Sequence, residues 1–183
     1  GRALDNRMGG FMIAEVARQL SENKDKLPFT VYLVNSVQEE IGLRGAEMIS
    51  RRLQPDVAII TDVTHDTCSP LYNKKQQGDC KCGKGAVVTY GPAVQNNLLQ
   101  SIIGVAKSNE IDIQRNAVSR STGTDTDSFA YSGMGVASAL ISLPLKYMHT
   151  TVETVHMDDV NSCIQLMYQT VKSLKAGQTF NYI

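Results

Sequence analysis

The chain has 183 residues, enough for one domain with a substantial core and too few for two large domains. Its 18 Lys and Arg balance 18 Asp and Glu, so charge gives no reason to expect nucleic acid or an anionic membrane as the main partner. The longest apolar runs, 57–60 and 136–145, are too short to span a membrane, and no signal peptide is recognisable. We therefore expect a cytoplasmic protein whose four cysteines are reduced.

Hydrophobic periodicity predicts alternating helices and strands along the chain. A helix over 6–22, capped by Asp5 or Asn6, precedes a loop and a mostly apolar strand over 29–36. A helix over 43–53 and a strand over 56–63 complete a βαβ unit, which implies a parallel pair of strands.

The rest of the chain continues the alternation. Strands are predicted over 86–90, 111–118 and 136–143, helices over 94–107, 128–132 and 157–174, and irregular segments over 64–85, 119–127 and 175–183. This pattern predicts an α/β fold, a three-layer sandwich in which a mixed, mainly parallel sheet lies between helices on both faces.

Four separate places along the chain carry acidic or histidine side chains at junctions between elements. They are Asp5, the pair Glu39 and Glu40, Asp62, and His149. In open α/β sheets, sites form beyond the carboxyl ends of the strands, so we expect these side chains to meet at one edge. Carboxylates with an imidazole suit zinc, cobalt or manganese, and a bridging carboxylate can hold two such ions. The alternatives are that the two glutamates only complement a helix dipole and that the histidine is structural.

Six separated motifs give the chain a resemblance to a known family. They are Ala3–Arg7, Val37–Ala46, Asp62–Thr64, Gly83–Gly85, Gly123–Asp125 and Tyr147–Glu153. Together and in this order they resemble the glutamyl and deblocking aminopeptidases, cytoplasmic di-metal exopeptidases that sometimes carry the name endoglucanase. The resemblance implies a zinc-exopeptidase-like fold, two divalent metal ions, peptide substrates and a homo-oligomer in the full-length protein.

The resemblance also implies a role for each candidate residue. Asp5 is expected to bridge both metals, Glu40 and His149 to complete one metal site, and Asp62 to hold the second metal. Glu39 is expected to act as the general base, because an unligated carboxylate can move the proton. Thr124 and Asp125 are expected either to shape the substrate pocket or to form an ordinary turn or helix cap.

One departure from the family pattern concerns the region upstream of Asp5. Family members carry a further metal-ligating histidine there, in a His-x-Asp motif, and an inserted β-rich domain used in assembly. Neither occurs in residues 1–183, which we therefore interpret as the C-terminal part of a catalytic metallopeptidase domain. The alternatives are an inactive relative that binds without catalysis, or a related di-metal deacylase or carboxypeptidase.

A second candidate metal site lies in the segment after Asp62. His65, Cys68, Cys80 and Cys82 offer four zinc-binding atoms, although their spacing is uncommon. The alternatives are a flexible loop with incidental thiols, or His65 or Asp66 facing the substrate.

Overall fold

The computed structural model describes residues 1–24, 26–69, 72–180 and 182. Helices and strands alternate along this part of the chain. The helices are α1 (Leu4–Glu22), α2 (Arg44–Leu53), α3 (Lys74–Gln77), α4 (Asn96–Ser108), α5 (Asp125–Ala130) and α6 (Met157–Ser173). The strands are β1 (Val57–His65), β2 (Ala86–Tyr90), β3 (Ile113–Ala117) and β4 (Ala137–Leu145).

The four strands form one mixed sheet in the order β1-β4-β2-β3. β1 runs parallel to β4 and β2 runs parallel to β3, while β2 and β4 are antiparallel. The register of the first pair places Asp62 beside Ser142 and His65 beside Leu145, so β1 and β4 end together at one edge. The prediction of a mixed, mainly parallel sheet is confirmed.

Apolar side chains of both sheet faces are covered by helices. On one face α1, α4 and α6 enclose the main core, whose fully buried members include Met12, Ile102, Ile141 and Leu166. On the other face α2 and α5 pack Ala46 and Phe129 around Ala58 of β1. Because alternate residues of a strand point to opposite faces, β1 contributes to both cores. The predicted three-layer α/β fold is confirmed.

Element bounds differ from prediction at a few places. α5 begins at Asp125 rather than at 128, because the Thr124 side chain accepts a hydrogen bond from the Thr126 backbone and caps the helix. β4 continues through Pro144, which pairs with Thr64, because a proline fits a strand where its missing N–H is not needed. The short helix α3 lies within the segment predicted to be irregular, in which Pro70 and Leu71 lie outside the described residues.

The predicted strand over 29–36 is wrong, and so is its parallel pairing with 56–63. In the structure, residues 31–36 have no regular secondary structure, and β1 pairs with β4. Phe29, Val31 and Leu33 instead line a cleft of about 420 Å³ together with residues of α1. A β-branched run favours a strand, but a strand also needs a partner edge, which local sequence does not specify.

Within the described ranges, no helix combines the length and the apolar character needed to cross a membrane.

Candidate metal centre

Each candidate ligand stands where a regular element begins or ends. Asp5 lies in the first turn of α1, Asp62 lies near the end of β1, and His149 follows β4. Glu39 and Glu40 lie in the turn before α2. The fold brings residues from both ends of the chain to one edge of the sheet.

Asp5, Glu40 and His149 form the candidate metal cluster. One ligand atom of each lies within 4.8 Å of the others. His149 Nε2 is 3.0 Å from Asp5 Oδ2 and 3.6 Å from Glu40 Oε2. Two carboxylates and an imidazole form a donor set suited to zinc, cobalt or manganese.

Glu39 lies beside this cluster and is not one of its members. Burial, followed by the nearby charges of Asp125, Glu40 and Asp5, raises the pKa of Glu39 to about 7. A carboxyl group with such a pKa can both accept and return a proton near neutral pH.

Asp62 also lies outside the cluster, although its charge interacts with those of Asp5 and Glu39. Its side chain is 7% exposed, and its Oδ1 accepts hydrogen bonds from Asn6 Nδ2 at 3.0 Å and from the Val63 backbone at 2.8 Å. Burial is the main cause that raises the pKa of Asp62 to about 7.

The concentration of carboxyl groups fits a bound cation. Burial is the main cause that raises the pKa of Asp5, and the charge of Glu40 raises it further. Because the pKa values of Glu39 and Asp62 are raised as well, three acids at this edge of the sheet resist ionisation. A divalent ion would relieve their mutual repulsion, since an opposite charge favours the ionised form. The residues present therefore fit a metal.

The turn that carries the two glutamates is held tightly against α2. The Glu39 carbonyl accepts hydrogen bonds from the backbone N–H groups of Gly42 and Leu43, both at 3.0 Å. A Cβ atom at Gly45 would lie 2.4 Å from Val37 O and 2.6 Å from Val37 N. Only glycine allows this approach, which fixes the start of the turn.

The loop before α5 faces the same region. The Thr124 hydroxyl group forms hydrogen bonds with the hydroxyl groups of Thr122 and Thr126. It also accepts a hydrogen bond from the Thr126 backbone N–H, so Thr124 caps α5. Ser36 Oγ donates a hydrogen bond to Asp125 Oδ2, whereas Asp125 Oδ1 is buried and has no hydrogen-bond partner. Burial raises the pKa of Asp125.

Comparison with known proteins identifies the family. The family model for M42 glutamyl aminopeptidase matches residues 1–166. The chain belongs to the M42 glutamyl aminopeptidase family.

Several relatives agree with this assignment. The chain is 39% identical over 172 residues to lysyl aminopeptidase of Pyrococcus furiosus, covering 94% of this chain and 48% of that protein. It is 26% identical over 191 residues to glutamyl aminopeptidase of Lactococcus lactis, covering 99% of this chain and 50% of that protein. The TET aminopeptidase from a marine sediment Thaumarchaeota archaeon superposes with a TM-score of 0.89 at 30% identity, covering 96% and 49% of the two chains. The M42 chain thus spans about half the length of these relatives.

Sequence analysis did not predict that Asn6 and Glu153 form hydrogen bonds to residues of this candidate M42 site. Asn6 was predicted only as a cap, and its Oδ1 does accept a hydrogen bond from the Gly9 backbone at 2.7 Å. Its amide nitrogen also binds Asp62. Glu153, 2% exposed, accepts hydrogen bonds from backbone groups of three residues beside or within the cluster. Its presence in the Tyr147–Glu153 motif was the available signal.

The second candidate zinc site of the M42 chain is not formed. Among the residues that the structure describes, His65, Cys68, Cys80 and Cys82 do not converge on a common point. His65 Nδ1 is 2.6 Å from the Tyr72 hydroxyl, and burial raises the pKa of both Cys80 and Cys82 to about 12.

Asp66 explains how this segment is organised. Its carboxylate is buried and accepts hydrogen bonds from the backbone of Cys68 at 2.6 Å and of Cys82 at 2.9 Å. The alternative that Asp66 faces a substrate is not favoured, because both of its oxygens accept hydrogen bonds within the loop, and the same alternative for His65 stays a prediction.

Proposed function

We propose that the protein to which this chain belongs removes N-terminal residues from peptides by metal-assisted hydrolysis. The observation that carries the proposal is the convergence of Asp5, Glu40 and His149 beside a glutamate, Glu39, whose pKa is raised to about 7. Membership of the M42 family and the aminopeptidase names of the relatives support it.

Asp5, Glu40 and His149 would hold one divalent ion, either zinc, cobalt or manganese. Asp5 and Asp62 would contribute to a second ion site, which needs ligands from outside residues 1–183. A metal ion bound by these residues would lower the pKa of a bound water molecule and polarise the scissile carbonyl group.

Glu39 acts as the general base in this proposal. It accepts a proton from the water whose oxygen attacks the carbonyl carbon, and passes that proton to the amine nitrogen as the C–N bond breaks. A pKa near the working pH suits both transfers. The position of Glu39 outside the ligand cluster leaves its carboxylate available for this task.

Asp125 is proposed to bind the α-ammonium group of the peptide. One of its oxygens is buried without a partner while the other is held by Ser36. A positively charged amine would satisfy that oxygen and select peptides with a free N-terminus. Thr124 supports this role indirectly, because it caps the helix on which Asp125 stands.

We extend the proposal to assembly and location. A Pyrococcus horikoshii TET peptidase, 30% identical with a TM-score of 0.77, can assemble into a tetrahedron or a large octahedral shell. We propose that the protein containing this chain is likewise a homo-oligomer, and that it works in the cytoplasm.

Metal content tests the proposal most directly. We would measure it by mass spectrometry, together with aminopeptidase activity, on this chain and on a version extended upstream. The expected result is two divalent ions and activity in the extended protein. Absence of metal and of activity in both proteins would contradict the proposal and favour a non-catalytic relative.

A further inference from the structure

Glu153 lies behind the candidate metal cluster with its carboxylate turned towards two segments of backbone. Its Oε2 accepts hydrogen bonds from the N–H groups of Leu4 at 2.7 Å and Asp5 at 3.3 Å. Its Oε1 accepts a hydrogen bond from the N–H group of His149 at 2.9 Å. Both oxygens are thus occupied by backbone donors, and the side chain is not a member of the cluster.

These hydrogen bonds join parts of the chain that are far apart in sequence. Asp5 and Glu153 are separated by 148 residues. The side chains of Asp5 and His149 meet at 3.0 Å, and one carboxylate holds the backbone of both residues. A single carboxylate therefore links the backbones that carry the two ligands.

Both backbone segments contain residues in a rarely adopted conformation. His149 has a φ of 61° and Tyr147 has a φ of 59°, and Ala3, before the other segment, has a φ of 52°. Residues with a Cβ atom rarely adopt this left-handed region, and they remain there only when their surroundings hold them. The carboxylate of Glu153 supplies hydrogen bonds to both of these strained segments.

We infer that Glu153 is a positioning residue of the candidate metal centre, which fixes the separation of Asp5 and His149 and thereby sets the affinity for a divalent cation. The inference rests on the metal site of the proposed function. It does not depend on which reaction the protein catalyses.

Replacement of Glu153 by glutamine changes the carboxylate with little change of shape. An amide has a single acceptor oxygen, so it can serve either the segment at Leu4 and Asp5 or the segment at His149. Its NH₂ group then faces an N–H donor on the other side. The variant Glu153→Gln therefore breaks one half of the connection between the two ligands.

Asp159 offers a matched control. It is fully buried, and its two oxygens accept hydrogen bonds from the backbone of Gly83 at 2.6 Å and Gly85 at 2.7 Å. Asp159→Asn makes the same chemical change at a buried carboxylate that accepts from backbone donors of another loop. It should destabilise the fold without altering the separation of the metal ligands.

The experiment is a calorimetric titration of Co²⁺ into the protein extended upstream, as wild type, Glu153→Gln and Asp159→Asn, with visible absorption spectra of the cobalt-loaded proteins. We expect Glu153→Gln to weaken cobalt affinity by about 10–100-fold and to change the cobalt spectrum, as loss of a supporting hydrogen bond does at metal sites. Asp159→Asn should keep the wild-type affinity and spectrum, even where thermal unfolding shows a comparable loss of stability.

Unchanged affinity in Glu153→Gln would overturn the inference, as would an equal loss of affinity in Asp159→Asn. Absence of cobalt binding in wild type would overturn it together with the proposed metal site. Cobalt binding with the expected variant pattern but without peptide cleavage would uphold it and reject only the proposed reaction. If Glu153→Gln does not fold, Glu153→Asp keeps both acceptor oxygens on a shorter stem that cannot reach both segments, and its affinity should fall in the same direction.

Discussion

Glu39 and Glu40 are neighbours in sequence and lie in different surroundings. The Glu40 side chain is 60% exposed and lies beside His149, whereas Glu39 is half-buried with its pKa raised to about 7. Residue types and the family resemblance pointed to Asp5, Glu39, Glu40 and Asp62 as the candidate acids of the site. They did not predict Glu153, because its role depends on hydrogen bonds to the backbone of residues more than a hundred positions away.

Glu39→Gln should retain metal and lose activity, because it removes a base and leaves the ligand cluster unchanged. We expect turnover in the extended protein to fall by about 10²–10⁴-fold, the usual contribution of a general base. Steady-state kinetics and cobalt titration measure the two effects. Glu47→Gln, at an exposed residue paired with Arg51, is the control and should keep full turnover. Loss of metal with residual turnover would reverse the roles given to Glu39 and Glu40.

His149→Ala should lower metal occupancy, since it removes the only nitrogen ligand of the cluster within the described residues. His156→Ala is a suitable control. His156 is also half exposed and lies 3.6 Å from a carboxylate, that of Asp158, but it caps α6. We expect about 10-fold or greater loss of cobalt affinity in the first variant, on the scale of perturbed metal sites, and no change in the second. Equal occupancy in both would remove His149 from the ligand set.

At the scale of elements, periodicity predicted the longer helices and the strands that pair in the sheet, but not the short helix α3. Residues 57–65 and 137–145 form strands because both are apolar and β-branched or small, and each has a neighbour. Residues 29–36 are also largely apolar, but Phe29, Val31 and Leu33 lie beside α1 and do not join the sheet. Local preference indicates a conformation, but pairing depends on which edges the folded chain presents.

Gly45→Ala tests the contact between α2 and the glutamate turn. The new Cβ would meet backbone atoms of Val37, so the turn must shift and carry Glu39 and Glu40 with it. We expect a loss of about 1–3 kcal/mol in the free energy of unfolding, typical of overpacking, and a lower cobalt affinity. Urea unfolding and calorimetry measure these changes.

Gly104→Ala is the control for that experiment. Gly104 lies inside α4, and a Cβ there would meet nothing within 4 Å. The substitution should stabilise the protein by roughly 0.5–1 kcal/mol, because alanine is the better helix former. A stable Gly45→Ala variant with unchanged cobalt affinity would show that the turn does not depend on this contact.

At the scale of the whole molecule, the acidic edge couples stability to pH. The pKa of Asp62 is raised from 3.8 to about 7, so the native protein keeps a proton that the unfolded chain has already released. The unfolded state then binds fewer protons between these values. The free energy of unfolding contributed by Asp62 therefore falls as pH rises.

We expect the metal-free wild type to lose stability relative to Asp62→Asn as the pH rises from 3.8 to about 7, the two pKa values that set the window. His65 is present in both proteins, so the comparison with the variant cancels its contribution. Burial lowers the pKa of His65, and its contribution to the free energy of unfolding therefore rises with pH. Cobalt at 100 times its dissociation constant should restore about 2.7 kcal/mol in wild type at the higher pH. Urea midpoints measure both effects, and a wild-type midpoint that rises relative to the variant would contradict the expectation.

The hydrogen bonds between Glu153 and the first turn of α1 also set an order of events during synthesis. Asp5 is made 148 residues before Glu153, an interval of about 7–30 s at ordinary rates of translation. His149 is made only four residues before Glu153, so it is absent for nearly all of that interval. An ion held by Asp5, Glu40 and His149 together can therefore bind only after His149 has been made, late in the synthesis of residues 1–183.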